Sequence, residues 1–196
     1  MKDRSLLDQA SELYLAGCHQ DALAMYMQAL VQEPDDPHVH CGLGEVLEAL
    51  HRPGEALIAF EQALRLDPDN VWAYFGRGGV LQELRRYDEA AAAFTRASEL
   101  NPQEVAFHRA LGVVHYLRDD LPASLKAYRC ALQAEPQDAL SHYGIGLNYD
   151  AQTCPREALV AYLEASHCDP QDPWPHLRLA GLFQRQGMPG GERHLQ

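Results

Sequence analysis

The sequence predicts an all-α protein made of repeated antiparallel helix hairpins, and three observations carry that expectation. Pro34, Pro68, Pro102, Pro136 and Pro170 return every 34 residues without an insertion. Further columns keep the same step: a small residue five positions before each proline, an aromatic eight before, and small residues twelve and twenty-four before. Between the columns, apolar residues fall at i, i+3, i+4 and i+7, the spacing that gathers them on one helix face. A repeat of this length is one supersecondary unit that cannot bury its apolar face alone and must stack on its neighbours.

The elements follow in order. Residues 3–36 carry Ala10, Ala22, Tyr26, Ala29 and Pro34; residues 37–70 carry Gly44, Ala56, Phe60, Ala63 and Pro68. Residues 71–104 carry Gly78, Ala90, Phe94, Ala97 and Pro102, and residues 105–138 carry Gly112, Ser124, Tyr128, Ala131 and Pro136. The fifth repeat, 139–172, has Gly146, Ala158, Tyr162, Ala165 and Pro170. A partial sixth, 173–186, supplies one helix with Trp174, Leu177, Leu179, Leu182 and Phe183. In each repeat the proline stops the second helix, since it lacks an N–H and clashes with the preceding turn. Asp36, Asn70, Asp138 and Asp172 stand where a helix N-cap belongs, with Pro37 and Pro173 at the following position. The Gly/Ala column lets the two helices of a hairpin approach closely, and the aromatic fills the space opposite. Residues 3–186 thus read as one stack, and 187–196, with Gly187-Met188-Pro189-Gly190-Gly191, as a flexible tail.

Composition narrows the function. The formal net charge is -12, which argues against nucleic acid and anionic membrane surfaces, both of which need clustered Lys and Arg. It favours a partner with basic residues. No run of residues is long and apolar enough for a membrane span, and no leader-like apolar segment follows Met1. The five cysteines, Cys18, Cys41, Cys130, Cys154 and Cys168, are odd in number and show no Cys-x-x-Cys spacing. A reducing, cytoplasmic setting with mostly buried thiols is the expectation. His40, His108, His142 and His176 share one column, a helix pair apart, and His38 and His40 point to different helix faces. No His/Cys/carboxylate set has ligand spacing, so neither metal nor cofactor is expected. Gly76-Arg77-Gly78-Gly79 falls inside a helix instead of a phosphate-cradling loop, and nothing forms a nucleophile–base arrangement. No catalytic residue is assigned, and the protein is expected not to be an enzyme.

The order small, small, aromatic, small, proline at this period resembles the tetratricopeptide repeat family, over residues 3–170 and into a sixth first helix. The column usually held by tryptophan departs from the pattern, with Leu6, His40, Tyr74, His108, His142 and His176. The resemblance implies a right-handed α-solenoid whose first helices line a concave groove. The groove positions would then be Leu7, Ser11 and Tyr14; Cys41, Glu45 and Glu48; Phe75, Gly79 and Gln82; Arg109, Val113 and Tyr116; and Tyr143, Leu147 and Asp150. Such a surface, with aromatic and aliphatic anchors and scattered acids, suits an amphipathic helix or an extended peptide with apolar and basic side chains. A scaffold or adaptor is the leading expectation; a secretion or pilus-assembly type chaperone and a recruiting domain of a larger enzyme are the alternatives. Two specialised family readings fail. The clamp that grips the C-terminal carboxylate of heat-shock chaperones needs Lys, Asn and Arg, where this chain has Leu7, Ser11, Gly42, Trp72 and Gly76, or Cys41, Glu45, Gly76, Ala106 and Ala110 one repeat later. The asparagine ladder of sugar-nucleotide glycosyltransferases is replaced by Gly42, Gly76, Ala110 and Gly144. That glycine column points either to a close-lying ligand or to tight packing, with packing the better fit to a recurring helix-interior cost. The rather apolar sixth helix suggests an exposed strip open to self-association.

Overall fold

The computed structural model describes residues 5–186, so the predicted tail at 187–196 and the first two residues of the first repeat lie outside the described residues. Among the described residues all regular structure is helical. The first compact unit, within residues 1–102, contains α1 (Leu6–Leu15), α2 (His19–Gln32), α3 (Pro37–Ala49), α4 (Pro53–Leu66), α5 (Val71–Glu83) and α6 (Tyr87–Leu100). The second, within 103–196, contains α7 (Val105–Leu117), α8 (Leu121–Ala134), α9 (Ala139–Ala151), α10 (Pro155–Cys168) and α11 (Pro173–Gln186). In each unit, helices pair as hairpins and each second helix packs on the first helix of the next hairpin.

Local chemistry sets the helix boundaries. Asp36 Oδ1 accepts from the His38 N–H at 2.8 Å, Asn70 Oδ1 from Ala73 at 2.9 Å, Asp138 Oδ2 from Ser141 at 3.0 Å and Asp172 Oδ1 from Trp174 at 3.0 Å. Each satisfies an N–H group that the helix leaves without a partner. The inter-hairpin prolines all fall two residues past a helix end. The histidine column braces those turns: His40 Nε2 lies 2.8 Å from the Pro34 carbonyl and His142 Nε2 3.0 Å from that of Pro136, each ring N–H donating to the oxygen.

Inside each hairpin the turn requires one left-handed residue. Gly17, His51, Arg85, Asp119 and Thr153 hold it, at φ between 55° and 76°. In the second hairpin the Arg52 N–H reaches Leu47 O and the His51 N–H reaches Glu48 O, both at 2.9 Å, a Schellman closure. Only Gly17 adopts this conformation without a Cβ penalty. Thr153, β-branched at φ 56°, carries the heaviest strain, so Thr153→Gly is expected to stabilise the chain by about 1 kcal/mol. A thermal melt should show a midpoint raised by a few degrees, and an unchanged or lowered midpoint would refute the strain.

The core follows the columns. Phe60, fully buried, packs with Ala56, Ala59, Ala63, Ala73 and Val80 in the first unit; Tyr162 packs with Ala158, Leu179 and Leu182 in the second. A Cβ on Gly44 would lie 2.7 Å from Phe60, on Gly78 2.5 Å from Phe94, on Gly112 2.7 Å from Tyr128 and on Gly146 2.4 Å from Tyr162. Each aromatic therefore presses on its own hairpin's glycine. The second glycine column does the same for the preceding hairpin: the Cβ positions of Gly42, Gly76 and Gly144 lie 2.4, 2.3 and 2.3 Å from Tyr26, Phe60 and Tyr128. That recurring helix glycine is used for packing. In the second unit a polar pair interrupts the core columns. Ser124 replaces an alanine and Asn148 replaces the valine found at Val46, Val80 and Val114. The Ser124 hydroxyl donates to Gly112 O at 2.7 Å, and Asn148 Nδ2 donates to Ser124 Oγ at 2.9 Å and to Gly144 O at 2.8 Å.

The sixth helix, α11, buries Leu179, Ala180 and Leu182 and leaves Trp174 and Leu177 exposed. The thiols depart from expectation: all five are free, but only Cys41 is buried, Cys18 is exposed and the other three are half-buried.

Candidate functional site

In the first unit the predicted trios lie on α1, α3 and α5, and α3 contacts both α1 and α5. Leu7 and Tyr14 are half-buried against the first hairpin's core. Ser11 Oγ donates to Leu7 O at 2.9 Å and shares a 3.0 Å hydrogen bond with the Tyr26 hydroxyl. Cys41 is 7% exposed and belongs to the core, so it serves as wall and not as an accessible anchor. Burial pushes its thiol up to about 12, with Glu45 adding to the effect. The Phe75 ring lies 5.6 Å from that of Phe94 in a tilted arrangement and meets Trp72 edge-on at 6.2 Å. Gly79 leaves room for Glu48, whose Oε1 lies 3.1 Å from where a Cβ would stand; Gln82 is half-buried one turn on.

The electrostatics of this face are one-sided. Burial raises Glu45. Glu48 is pushed up to about 7, first by burial and then by Glu83 and Glu45. Tyr14 is raised by burial and by the same two α3 carboxylates. Among the described residues no ion pair reaches Glu45 or Glu48. A hollow of about 510 Å³ opens between α1, α3 and the start of α5, with Leu7, Ser11, Glu45, Val71 and Trp72 among its walls.

The second unit's face is satisfied from within. Arg109 pairs with buried Asp138 at 3.2 Å, and Val113 and Tyr116 stand half-buried beyond it on α7. Tyr143 lies 5.7 Å from the Tyr162 ring, and its hydroxyl accepts from Arg178 Nε at 3.4 Å. Leu147 packs into the α10–α11 core. Asp150 accepts from Arg185 at 3.1 and 3.2 Å. Burial raises the Tyr162 phenol above its ordinary value, Asp150 adding to it, and its hydroxyl is buried without a hydrogen-bond partner. Three predicted positions on α9 are thus already engaged by neighbouring helices of their own unit.

Two exposed apolar positions lie outside the groove set read from the sequence. Leu177, 53% exposed, is the sixth member of the column Leu7, Cys41, Phe75, Arg109, Tyr143. Trp72, 54% exposed, shares a 34-residue column with Leu140 and Trp174, both also exposed. That recurrence of large apolar residues in a position without a packing column was the available signal.

Among the described residues no group of three or more His, Cys, Asp or Glu side chains could hold a metal ion, and no helix is long and apolar enough to cross a membrane. The family model described as tetratricopeptide repeat matches residues 7–71 and 75–139. The chain belongs to the tetratricopeptide repeat family. Solved tetratricopeptide structures share its fold. The pilF protein of Pseudomonas aeruginosa superimposes with a TM-score of 0.80 at 20% identity, covering 93% of this chain and 84% of that one. MamA from Desulfovibrio magneticus RS-1 gives 0.78 at 19% identity, covering 85% and 95%. YrrB, described as a TPR protein with an unusual peptide-binding site, gives 0.73 at 24% identity, covering 87% and 88%. A search of curated proteins finds no match.

Proposed function

We propose that this tetratricopeptide repeat protein is a non-catalytic scaffold or adaptor that holds a peptide or helical segment of a partner protein against the first-helix faces of its hairpins. The observation that carries this reading is the division of labour along α1, α3, α5, α7 and α9. The glycine columns on α3, α5, α7 and α9 are consumed by packing, while the i, i+4, i+7 rows keep partly accessible side chains, Phe75 and Tyr116 among them. Aromatic anchors of this kind bury large area at low entropic cost. The YrrB likeness is compatible with peptide recognition on this fold.

The test is affinity capture with identification of the partner by mass spectrometry, followed by titration of the captured segment against Phe75→Ala and Tyr143→Ala. Phe75→Ala should weaken binding by roughly tenfold, the range of a moderate anchor. Tyr143→Ala should have the smaller effect, because Tyr143 is already bonded to Arg178. Unchanged affinity in both, with melts that show folded protein, would remove the first-helix faces from the reading.

A further inference from the structure

We propose that the hollow between α1, α3 and the start of α5 seats a lysine or arginine side chain of the partner segment, its charged head against Glu45 and its stem along Leu7 and Trp72. This rests on the first-helix face being the binding surface, and it names the chemistry that one part of that face selects.

Four features point to a cation. The hollow has room for a long side chain, about 510 Å³, and its walls combine apolar Leu7, Val71 and Trp72 with carboxylates at Asp8, Glu45 and Asp67. No lysine or arginine is among the residues that line it. Long basic side chains suit such a lining, since their methylene stems cover apolar surface while the head stays with polar groups. Indole faces attract cations in addition.

Second, one carboxylate of its wall, Glu45, lacks compensation. In the second unit, Asp138 and Asp150 are each met by an arginine. On the rim of the hollow Asp69 is held by Arg96 at 3.0 Å, and Asp67 accepts from the Asp69 N–H at 3.1 Å. Glu45 is half-buried and among the described residues receives neither an ion pair nor a hydrogen bond. A partly desolvated charge left in that state is costly, and an arriving cation removes the cost.

Third, the charge is unevenly placed. Residues 1–102 hold 17 Asp and Glu against 8 Lys and Arg, whereas residues 103–196 hold 11 against 8. The net negative field of the first unit therefore draws basic segments toward that unit and speeds encounter. Fourth, Trp72 stands exposed at the mouth, where a partner's stem would cover it.

The experiment uses the full chain and a random dodecapeptide library displayed on phage. The strongest binder is resynthesised and titrated by fluorescence anisotropy against wild type, Glu45→Gln and Phe75→Ala, at low and high salt. Circular dichroism melts check that each variant is folded. The expected binder carries Lys or Arg flanked by apolar residues. Glu45→Gln should weaken it roughly tenfold and flatten its salt dependence. The same peptide with its basic residue changed to glutamine should no longer distinguish Glu45→Gln from wild type. A binder that is weakened by Phe75→Ala but indifferent to Glu45→Gln and to salt overturns the cation site and leaves the face as the binding surface. Failure to select any binder, or a binder indifferent to both substitutions, overturns the face and the cation site together.

Discussion

Gly76→Ala is expected to destabilise the protein by about 2–3 kcal/mol, although alanine is the better helix former by about 1 kcal/mol. The new Cβ would stand 2.3 Å from Phe60 Cζ and 2.5 Å from Cε1, far inside van der Waals contact. The ring cannot retreat, because on its other side a Cβ at Gly44 would already lie 2.7 Å from it. Phe60 is 0% exposed, so it has no solvent to swing into. Removing the ring by Phe60→Ala should itself cost about 3–5 kcal/mol. The informative result is the double variant. With the ring gone the clash disappears and only the propensity gain remains, so Gly76→Ala should change sign and stabilise the Phe60→Ala background by up to about 1 kcal/mol. Guanidinium unfolding of the four proteins closes the cycle. Additive effects would mean that Gly76 and Phe60 do not press on each other.

Glu48→Gln should stabilise the protein at pH 8 by about 2–3 kcal/mol and have almost no effect at pH 4. The carboxyl is lifted from an ordinary 4.5 to about 7 by burial and by the neighbouring Glu83 and Glu45. The folded chain therefore keeps this proton up to about pH 7, while the unfolded chain releases it near 4.5. Between those values unfolding releases a proton, so stability falls as pH rises, and above 7 the folded state carries the full penalty of a partly buried charge. Glutamine has the shape of the protonated acid and removes that penalty at every pH. The groups facing Glu48 are Glu45 on α3, Glu83 on α5 and Tyr14 on α1, and no cation is among them. Denaturation midpoints from pH 4 to pH 8 read the effect directly. Parallel curves for the two proteins would show that Glu48 titrates normally.

The fold was legible because each repeated column is a physical contact that recurs. The Gly/Ala column, the aromatic column and the proline could be read without coordinates because every hairpin must solve the same packing and stopping problem. The candidate face was legible only in part. Helical spacing placed Phe75, Gly79 and Gln82 on one face, but it could not say which members were already engaged. Asp150 is held by Arg185 and Tyr143 by Arg178, each 35 residues away, and such pairs depend on how far a side chain reaches between neighbouring helices. Cys41 looked like an open position and is core, being 7% exposed and part of the buried cluster that includes Phe60 and Leu47. The Ser124–Asn148 bond was hidden for a different reason. Each residue alone looks like a tolerated departure from its column, and only their contact at 2.9 Å makes them a pair.

The rings shared between hairpins also govern how such a chain can change in length. Phe60 is shaped to two glycines, Gly44 in its own repeat and Gly76 in the next, and Tyr128 likewise to Gly112 and Gly144; these columns of small residues return every 34 residues. A duplication or excision of one whole period keeps the ring column and the small-residue columns in step. A gain or loss of any other size moves the rings out of step with the small residues they press on. Growth by recombination is therefore favoured in whole steps of the period, because only those keep each ring facing a small residue.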